Sequence, residues 1–452
     1  MKKISGEKLP SWLKNIDAKL KKINFKKILK WTKIIGVSVL IACSIFYGYL
    51  FFKYFMVTNF TAILFIFVSG FFIWVILRLI IKIFKIRPAH IRRLKFACVT
   101  LLVIWFCAEA YLRIAKINVS KNERNGLYYT SGFKINRNFD SKNPHLFVNT
   151  PNASFIDKQD EFSYKNDCNS DGLRDCNHSI EKERDEYRII CIGNSFTEGV
   201  GAPQDSTWPK LLEDKLKLQS KRKISVFNAG KSGSDSFFGY MLLKERLLKY
   251  KPDMVLLAIG FTDVQFYRFR GGFERFTKDG YKYREAPAWE QLYALSYICR
   301  FITNDIMQYD HFLSPDEYKV EAVRAVRAIN DCIEQFYKLA ISEHFKLIVV
   351  FFDPEKKGSE QGKFYVNGKL PYLNIIQSTE RKNIPFIALS KYNRNVEKLS
   401  PSAYQSYYWP INQHPTSKGY DLIARGVEWN LKKMGVLDSI LDNLLPVISI
   451  SK

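Results

Sequence analysis

Arg188-Ile189-Ile190-Cys191-Ile192-Gly193-Asn194-Ser195-Phe196-Thr197-Glu198-Gly199 is an apolar run that stops in a small, polar, glycine-flanked turn. The run reads as a buried strand that delivers the chain to the edge of a sheet. The small residues after it permit a tight turn, and a serine held there exposes its Oγ, as a nucleophile requires. A Gly-x-Ser triplet is by itself usually an ordinary turn, so the weight falls on the residues downstream of it.

From residue 187 onward, short apolar runs alternate with helical patterns. Strands are expected at Arg188–Ile192, Ile224–Phe227, Met254–Ile259, Leu347–Phe352 and Pro385–Leu389. Helices are expected between them, among them Trp208–Leu218, Phe237–Leu248 and Asp316–Ala340. Continuous apolar strands with helical crossovers mean a parallel sheet covered on both faces. Such sheets bind ligands beyond the carboxyl ends of their strands. Ser195 follows the first strand and Thr262 the third, so both are expected in that crevice. His414 lies before a last helix whose start is marked by Thr416 and Ser417 as candidate N-caps.

Four blocks succeed one another in the chain. Ser195 lies in the first, Asn228-Ala229-Gly230-Lys231-Ser232-Gly233 forms the second, Ala258-Ile259-Gly260-Phe261-Thr262-Asp263 the third, and His414-Pro415-Thr416-Ser417-Lys418-Gly419 the fourth. This succession, with Asn169-Ser170-Asp171-Gly172-Leu173-Arg174 upstream, resembles the SGNH (GDSL-type) hydrolase superfamily over roughly residues 165 to 435. The resemblance implies a three-layer α/β/α fold with a flavodoxin-like strand order, the first strand beside the third. It also implies a serine nucleophile at Ser195, a histidine base at His414, and an oxyanion hole from the N–H groups of Ser195 and Gly233 plus a third donor. The family's third donor is an Asn, matched here by Thr262. Its acid, an Asp just before the His, is matched by Asn412. Asn194 stands for the Asp of the family's first triplet.

The net charge is +25, from 69 Lys and Arg against 44 Asp and Glu. Its placement argues topology rather than nucleic acid. Residues 1–33 hold eleven Lys against Glu7 and Asp17, residues 78–95 hold seven cations and no acid, and the first 116 residues carry +18 of the total. Ile34–Phe52, Phe60–Leu77 and Phe96–Leu112 are apolar runs of about the length that crosses a membrane. With basic segments facing the cytoplasm, three transmembrane helices place everything after about Lys116 outside it, in a multi-pass protein of the cytoplasmic membrane. Leu9, Trp12, Leu13, Ile16, Leu20 and Ile23 recur at helical spacing among lysines, as in a helix lying on an anionic leaflet or a basic tail that only sets topology. No basic stripe interleaved with aromatics marks a nucleic-acid surface.

The expected organisation is a basic cytoplasmic segment (1–33), three spans (34–116), an irregular lead-in (117–186), a hydrolase-like domain (187–436) and a tail (437–452). The domain carries an aromatic and Arg-rich insertion at about 264–315. Cys168 and Cys176 flank the Asn169–Arg174 turn and are close enough in sequence to form a disulfide outside the cytoplasm. No Cys/His cluster shows metal-ligand spacing, so neither metal nor other cofactor is expected. The functional expectation is a membrane-anchored serine esterase acting through Ser195 and His414, with O-acetyl groups of an envelope glycan as a candidate substrate. An O-acyltransferase with the same site, or a catalytically silent glycan-binding or assembly protein, is the alternative.

Overall fold

The structure is a computed structural model that describes residues 88–115, 143–278, 280–281, 296–309, 313–352 and 371–441, with positions 78, 289 and 292–293. Two compact units divide the chain, Met1–Leu127 with Ala286–Ile306 and Tyr128–Glu285 with Met307–Lys452. Residues 286–306, expected in an insertion of the hydrolase-like domain, therefore cluster with the N-terminal segment.

In the first unit, α1 (Pro88–Ala115) holds the third expected span. Its Glu109 carboxylate is buried and accepts from Ser296 Oγ (3.0 Å) and from the Tyr297 and Ile298 amides (2.9 and 3.0 Å). Among the described residues no helix is long and apolar enough to cross a membrane. The reason at α1 is the spacing of charge. Only Phe96 to Ala108 is charge-free, about 20 Å of helix against a hydrocarbon core of ~30 Å. The first two expected spans, 34–52 and 60–77, lie outside the described residues, as do the amphipathic segment before them and most of the tail.

The second unit is built on a five-stranded parallel sheet. Its strands are β3 (Glu186–Gly193), β4 (Lys223–Gly230), β5 (Met254–Gly260), β6 (Lys346–Phe352) and β7 (Phe386–Ala388), in the order β4-β3-β5-β6-β7. That is the flavodoxin-like order, with the first sheet strand beside the third. Every residue of β3 is buried, which is why Ile189–Ile192 are apolar on both faces rather than alternating, while the buried Glu186 and Arg188 at its start pair with each other at 2.8 Å. One face packs Ile190, Ile192, Val255 and Leu257 against α4 (Ser236–Leu242) and α6 (Pro315–Ser342); the other packs Ile189, Cys191, Met254 and Leu256 against α3 (Trp208–Lys217) and α9 (Ser417–Lys433). The expected strands and long helices all form, with ends within a few residues. The exception is Phe237–Leu248, where the α-helix stops at Leu242 and continues as a π-helical turn over Leu243–Leu247.

The lead-in is more regular than expected. β1 (Ser154–Lys158) and β2 (Ser163–Asp167) pair as an antiparallel hairpin, with the Gln159 amide bonded to the Phe162 carbonyl (2.9 Å) across the turn. Tyr164 and Asn166 alternate inward on β2. Arg174, fully buried, donates to the carbonyls of Lys165, Glu198, Gly199 and Ala202 at 2.7–3.2 Å. The lead-in is thereby tied to the turn that carries Ser195. Cys168 and Cys176, close enough in sequence to pair, are both free thiols. Cys168 is buried beside Asn166 (3.5 Å), whereas Cys176 is exposed beside His178 (3.7 Å).

Candidate active site

Ser195 opens α2 (Ser195–Glu198), directly beyond the carboxyl end of β3. Asn194 caps this single turn, its Oδ1 accepting from the Phe196 amide (2.9 Å), and Gly199 ends it at φ +90°. Two glycines allow the turn to sit so close to the sheet. A Cβ on Gly193 would lie 2.3 Å from Thr197 Oγ1, and one on Gly230 would lie 2.0 Å from the Glu198 amide nitrogen. Only glycine fits such backbone approaches.

His414 arrives in a turn from Trp409 to His414, closed by Trp409 N–H to His414 O and Gln413 N–H to Trp409 O, both 2.9 Å. Gln413 adopts φ +69°, rare for a residue with a Cβ. Asn412 and His414 face each other on either side of it. His414 Nε2 lies 2.7 Å from Ser195 Oγ, and Nδ1 lies 2.5 Å from Asn412 Oδ1. With an amide oxygen facing Nδ1, the proton sits on Nδ1 and Nε2 presents its lone pair to the serine hydroxyl. Burial lowers the His414 pKa to about 4, against weaker opposing effects from Asn412, Glu198 and Asp157. The imidazole is therefore neutral at pH 7 and able to accept a proton.

Thr262 occupies the first turn of α5 (Phe261–Arg270), beyond β5. Its Oγ1 accepts from Asn194 Nδ2 (2.8 Å). Two of the three departures from the family pattern, Asn194 and Thr262, thus meet in one hydrogen bond. Having accepted there, the hydroxyl keeps its own proton to donate. Gly233, at φ +71°, sits in the turn after β4. Lys231 N–H and Ser234 Oγ fold that turn back onto the Gly193 carbonyl (2.9 and 3.1 Å), and Arg270 donates to the Gly233 carbonyl.

Three contributors were not legible as such. Glu198, fully buried one turn after Ser195, accepts from the Ser232 amide (2.6 Å) and hydroxyl, and pairs with Lys231 (3.3 Å). Burial opposes its charge, but Lys231 and Ser232 outweigh burial and hold its pKa below the usual carboxylate range. Trp409 Nε1 donates to Gly201 O (3.0 Å), anchoring the histidine turn to the nucleophile loop. Glu161, in the β1–β2 turn, binds the backbone beside His414 through Ile411 N–H (2.9 Å) and Asn412 N–H (2.5 Å). Glu198 lies within the opening motif, but nothing in the chain marks Glu161, 250 residues from its partners.

One further cluster exists that spacing did not reveal. Asp175, Cys176 and His178 bring ligand atoms within 4.8 Å of one another. The Asp175 oxygens are already engaged by Lys210 Nζ (2.7 Å), His178 Nε2 (2.9 Å) and the amides of Cys176 and Asn228 (2.9 and 2.8 Å). Burial opposes charge on His178, yet its bond to Asp175 raises the pKa to about 9. A protonated imidazole and an ammonium on one carboxylate make an ion-paired brace, and a cation would have to displace both.

A family model described as GDSL-like Lipase/Acylhydrolase family matches residues 191–422, just over half of the chain. The chain belongs to this family. The matched span of this GDSL-like protein runs from within β3 into α9 and contains Ser195, Gly233, Thr262, Asn412 and His414. An arylesterase of Vibrio mimicus is 32% identical to it over 76 residues, 17% of this chain and 38% of that protein. The chain thus spans well under half the length of the curated relative it matches. Similar solved structures include a lipase/acylhydrolase from Enterococcus faecalis at 16% identity, covering 55% of this chain and 96% of that one with a TM-score of 0.34. Another is an acetylxylan esterase from Geobacillus stearothermophilus, also at 16% identity, covering 54% and 94% with a TM-score of 0.34.

Proposed function

We propose that this GDSL-like protein hydrolyses esters through Ser195 and His414. The observation that carries the reading is the 2.7 Å contact between Ser195 Oγ and the Nε2 of an imidazole whose pKa lies at about 4. Ser195 Oγ attacks the ester carbonyl as its proton passes to Nε2. The N–H groups of Ser195 and Gly233 and the Thr262 hydroxyl stabilise the oxyanion. Collapse breaks the ester bond, and the departing alcohol takes the proton from Nε2. Water then attacks the acyl-serine, giving its proton to Nε2, and the acid leaves as Ser195 is restored.

Asn412 does part of the work of the missing Asp. In a serine protease an Asp-to-Asn change at this place costs about 10⁴ in rate because the amide selects the wrong tautomer. Here the amide oxygen faces Nδ1, so the tautomer is the productive one, and what is lost is stabilisation of the imidazolium.

The substrate class we propose is an O-acetyl ester on an envelope glycan, reached by a hydrolase unit held at the outer side of the cytoplasmic membrane. The basic runs at 1–33 and 78–95 and the uncharged stretches 34–52 and 60–77 support the attachment. So do the side chains of Leu101 to Phe106, consecutive apolar residues that are all exposed and so cover every face of α1. A stretch as short as Phe96–Ala108 crosses a bilayer only where the bilayer thins around it.

Labelling the full chain with a fluorophosphonate probe tests the chemistry. The wild type is expected to label, and Ser195→Ala and His414→Ala are expected to lose the label. A folded wild type that stays unlabelled would exclude the hydrolase reading and leave a binding role.

A further inference from the structure

We infer that Glu161 is a positioning residue that serves in place of the absent acid, acting on His414 through the backbone of Ile411 and Asn412. The inference rests on the reading of Ser195 and His414 as the reacting pair. It starts from a deficit. A carboxylate against Nδ1 both orients the ring and holds it by charge, whereas a neutral amide holds it by an ordinary hydrogen bond, roughly half as strong. The turn that presents Asn412 must therefore be fixed by something else.

Glu161 brings a carboxylate to that turn from the lead-in hairpin. Its Oε1 accepts from Ile411 N–H at 2.9 Å, and its Oε2 from Ile411 N–H at 3.0 Å and Asn412 N–H at 2.5 Å. These are charge-assisted bonds to two consecutive amides in a turn that also holds a left-handed Gln413. The hairpin that carries Glu161 is itself fixed against the same turn. Phe162, the next residue, packs on Trp409 with ring centres 5.3 Å apart, and Arg174 lies over the Tyr164 ring at 4.3 Å while gripping the nucleophile loop. One small sheet outside the main one thus sets both ends of the Ser195–His414 contact. The carboxylate that the family places directly on the imidazole is here moved one peptide outward and supplied from the lead-in.

The test compares rates of fluorophosphonate labelling, and kcat and KM on p-nitrophenyl acetate, across variants of the full chain. Glu161→Ala is expected to lower the labelling rate and kcat about 10²-fold with KM little changed, the usual cost of a small misplacement in a reacting pair. Glu161→Gln, which keeps one accepting oxygen, is expected to lose about tenfold. Adding Asn412→Asp to Glu161→Ala is expected to restore most of the rate, because a carboxylate on Nδ1 orients the ring without help from the turn. A disrupted hairpin would not be rescued in this way. Glu161→Gln labelling at the wild-type rate overturns the inference, as does a loss in Glu161→Ala that Asn412→Asp leaves unrepaired. Absence of labelling in the wild type would instead remove the reading on which the inference stands.

Discussion

At Asn412 a single nitrogen in place of an oxygen sets how His414 titrates. Burial holds the imidazole at a pKa of about 4, and no carboxylate on Nδ1 pulls it back up. The base form is the active one, so kcat/KM is expected to stay flat from neutral pH downward and to fall only as the pH drops through about 4. Asn412→Asp reverses this. A carboxylate beside the ring favours the imidazolium, so the acid limb is expected to move up by about 1–3 pH units while kcat at pH 7 rises about tenfold or more. A pH–rate profile of both proteins on p-nitrophenyl acetate decides it, and an unmoved limb would show that Asn412 does not govern His414. The same shift bears on folding. A histidine whose folded pKa is depressed contributes stability that is complete above its ordinary value and drains away as the pH falls toward the folded one. Ser195, Thr262, Asn412 and His414 were legible because each sits at a fixed place in an ordered series of short blocks. Glu161 was not, because a carboxylate accepting backbone N–H groups leaves no pattern in the sequence.

At the scale of elements, the site depends on how near α2 lies to β4. Gly230 ends β4 with no room for a side chain, since an added Cβ would meet the Glu198 amide nitrogen at 2.0 Å and the Thr197 carbonyl carbon at 2.4 Å. Both are backbone atoms, so relief requires the turn bearing Ser195 to move. Gly230→Ala is therefore expected to cost about 2 kcal/mol of stability by overpacking and about 10² in labelling rate by displacement of Oγ. Thermal unfolding alongside probe labelling checks both, and a variant as stable and reactive as the wild type would show that α2 does not lean on Gly230. The elements themselves could be read from the chain. Buried parallel strands impose continuous apolar runs, and amphipathic helices impose a 3.6-residue period. The hairpin β1–β2 could not, because its strands of five residues carry Lys, Asp and Ser on the exposed face and lack a strong apolar alternation.

The whole molecule joins a cationic, apolar N-terminal segment to a hydrolase unit whose charge is much closer to balance. If residues 1–116 attach the chain to a membrane as proposed, the protein is expected to stay in the membrane fraction through a carbonate wash and to leave it only with detergent. Release by carbonate alone would reduce the attachment to electrostatics. Protease added from outside to cells with an opened envelope is expected to cut the hydrolase unit, and protection there would place it in the cytoplasm.

Periodicity, a local property of the chain, marked the strands of the sheet and the helices that cover it, while the order of the strands and the places of the serine and histidine followed from the resemblance carried by the block series. Burial patterns and backbone sterics act over a few residues, so they leave their mark in sequence. The meeting of Asn194 with Thr262, the facing of the Asn412 oxygen to Nδ1, the thiols of Cys168 and Cys176 turned to different neighbours, and the grip of Glu161 on residues 411 and 412 were decided only by tertiary structure. Each is a contact between segments distant in sequence or a choice of side-chain direction, and both are settled by packing in three dimensions.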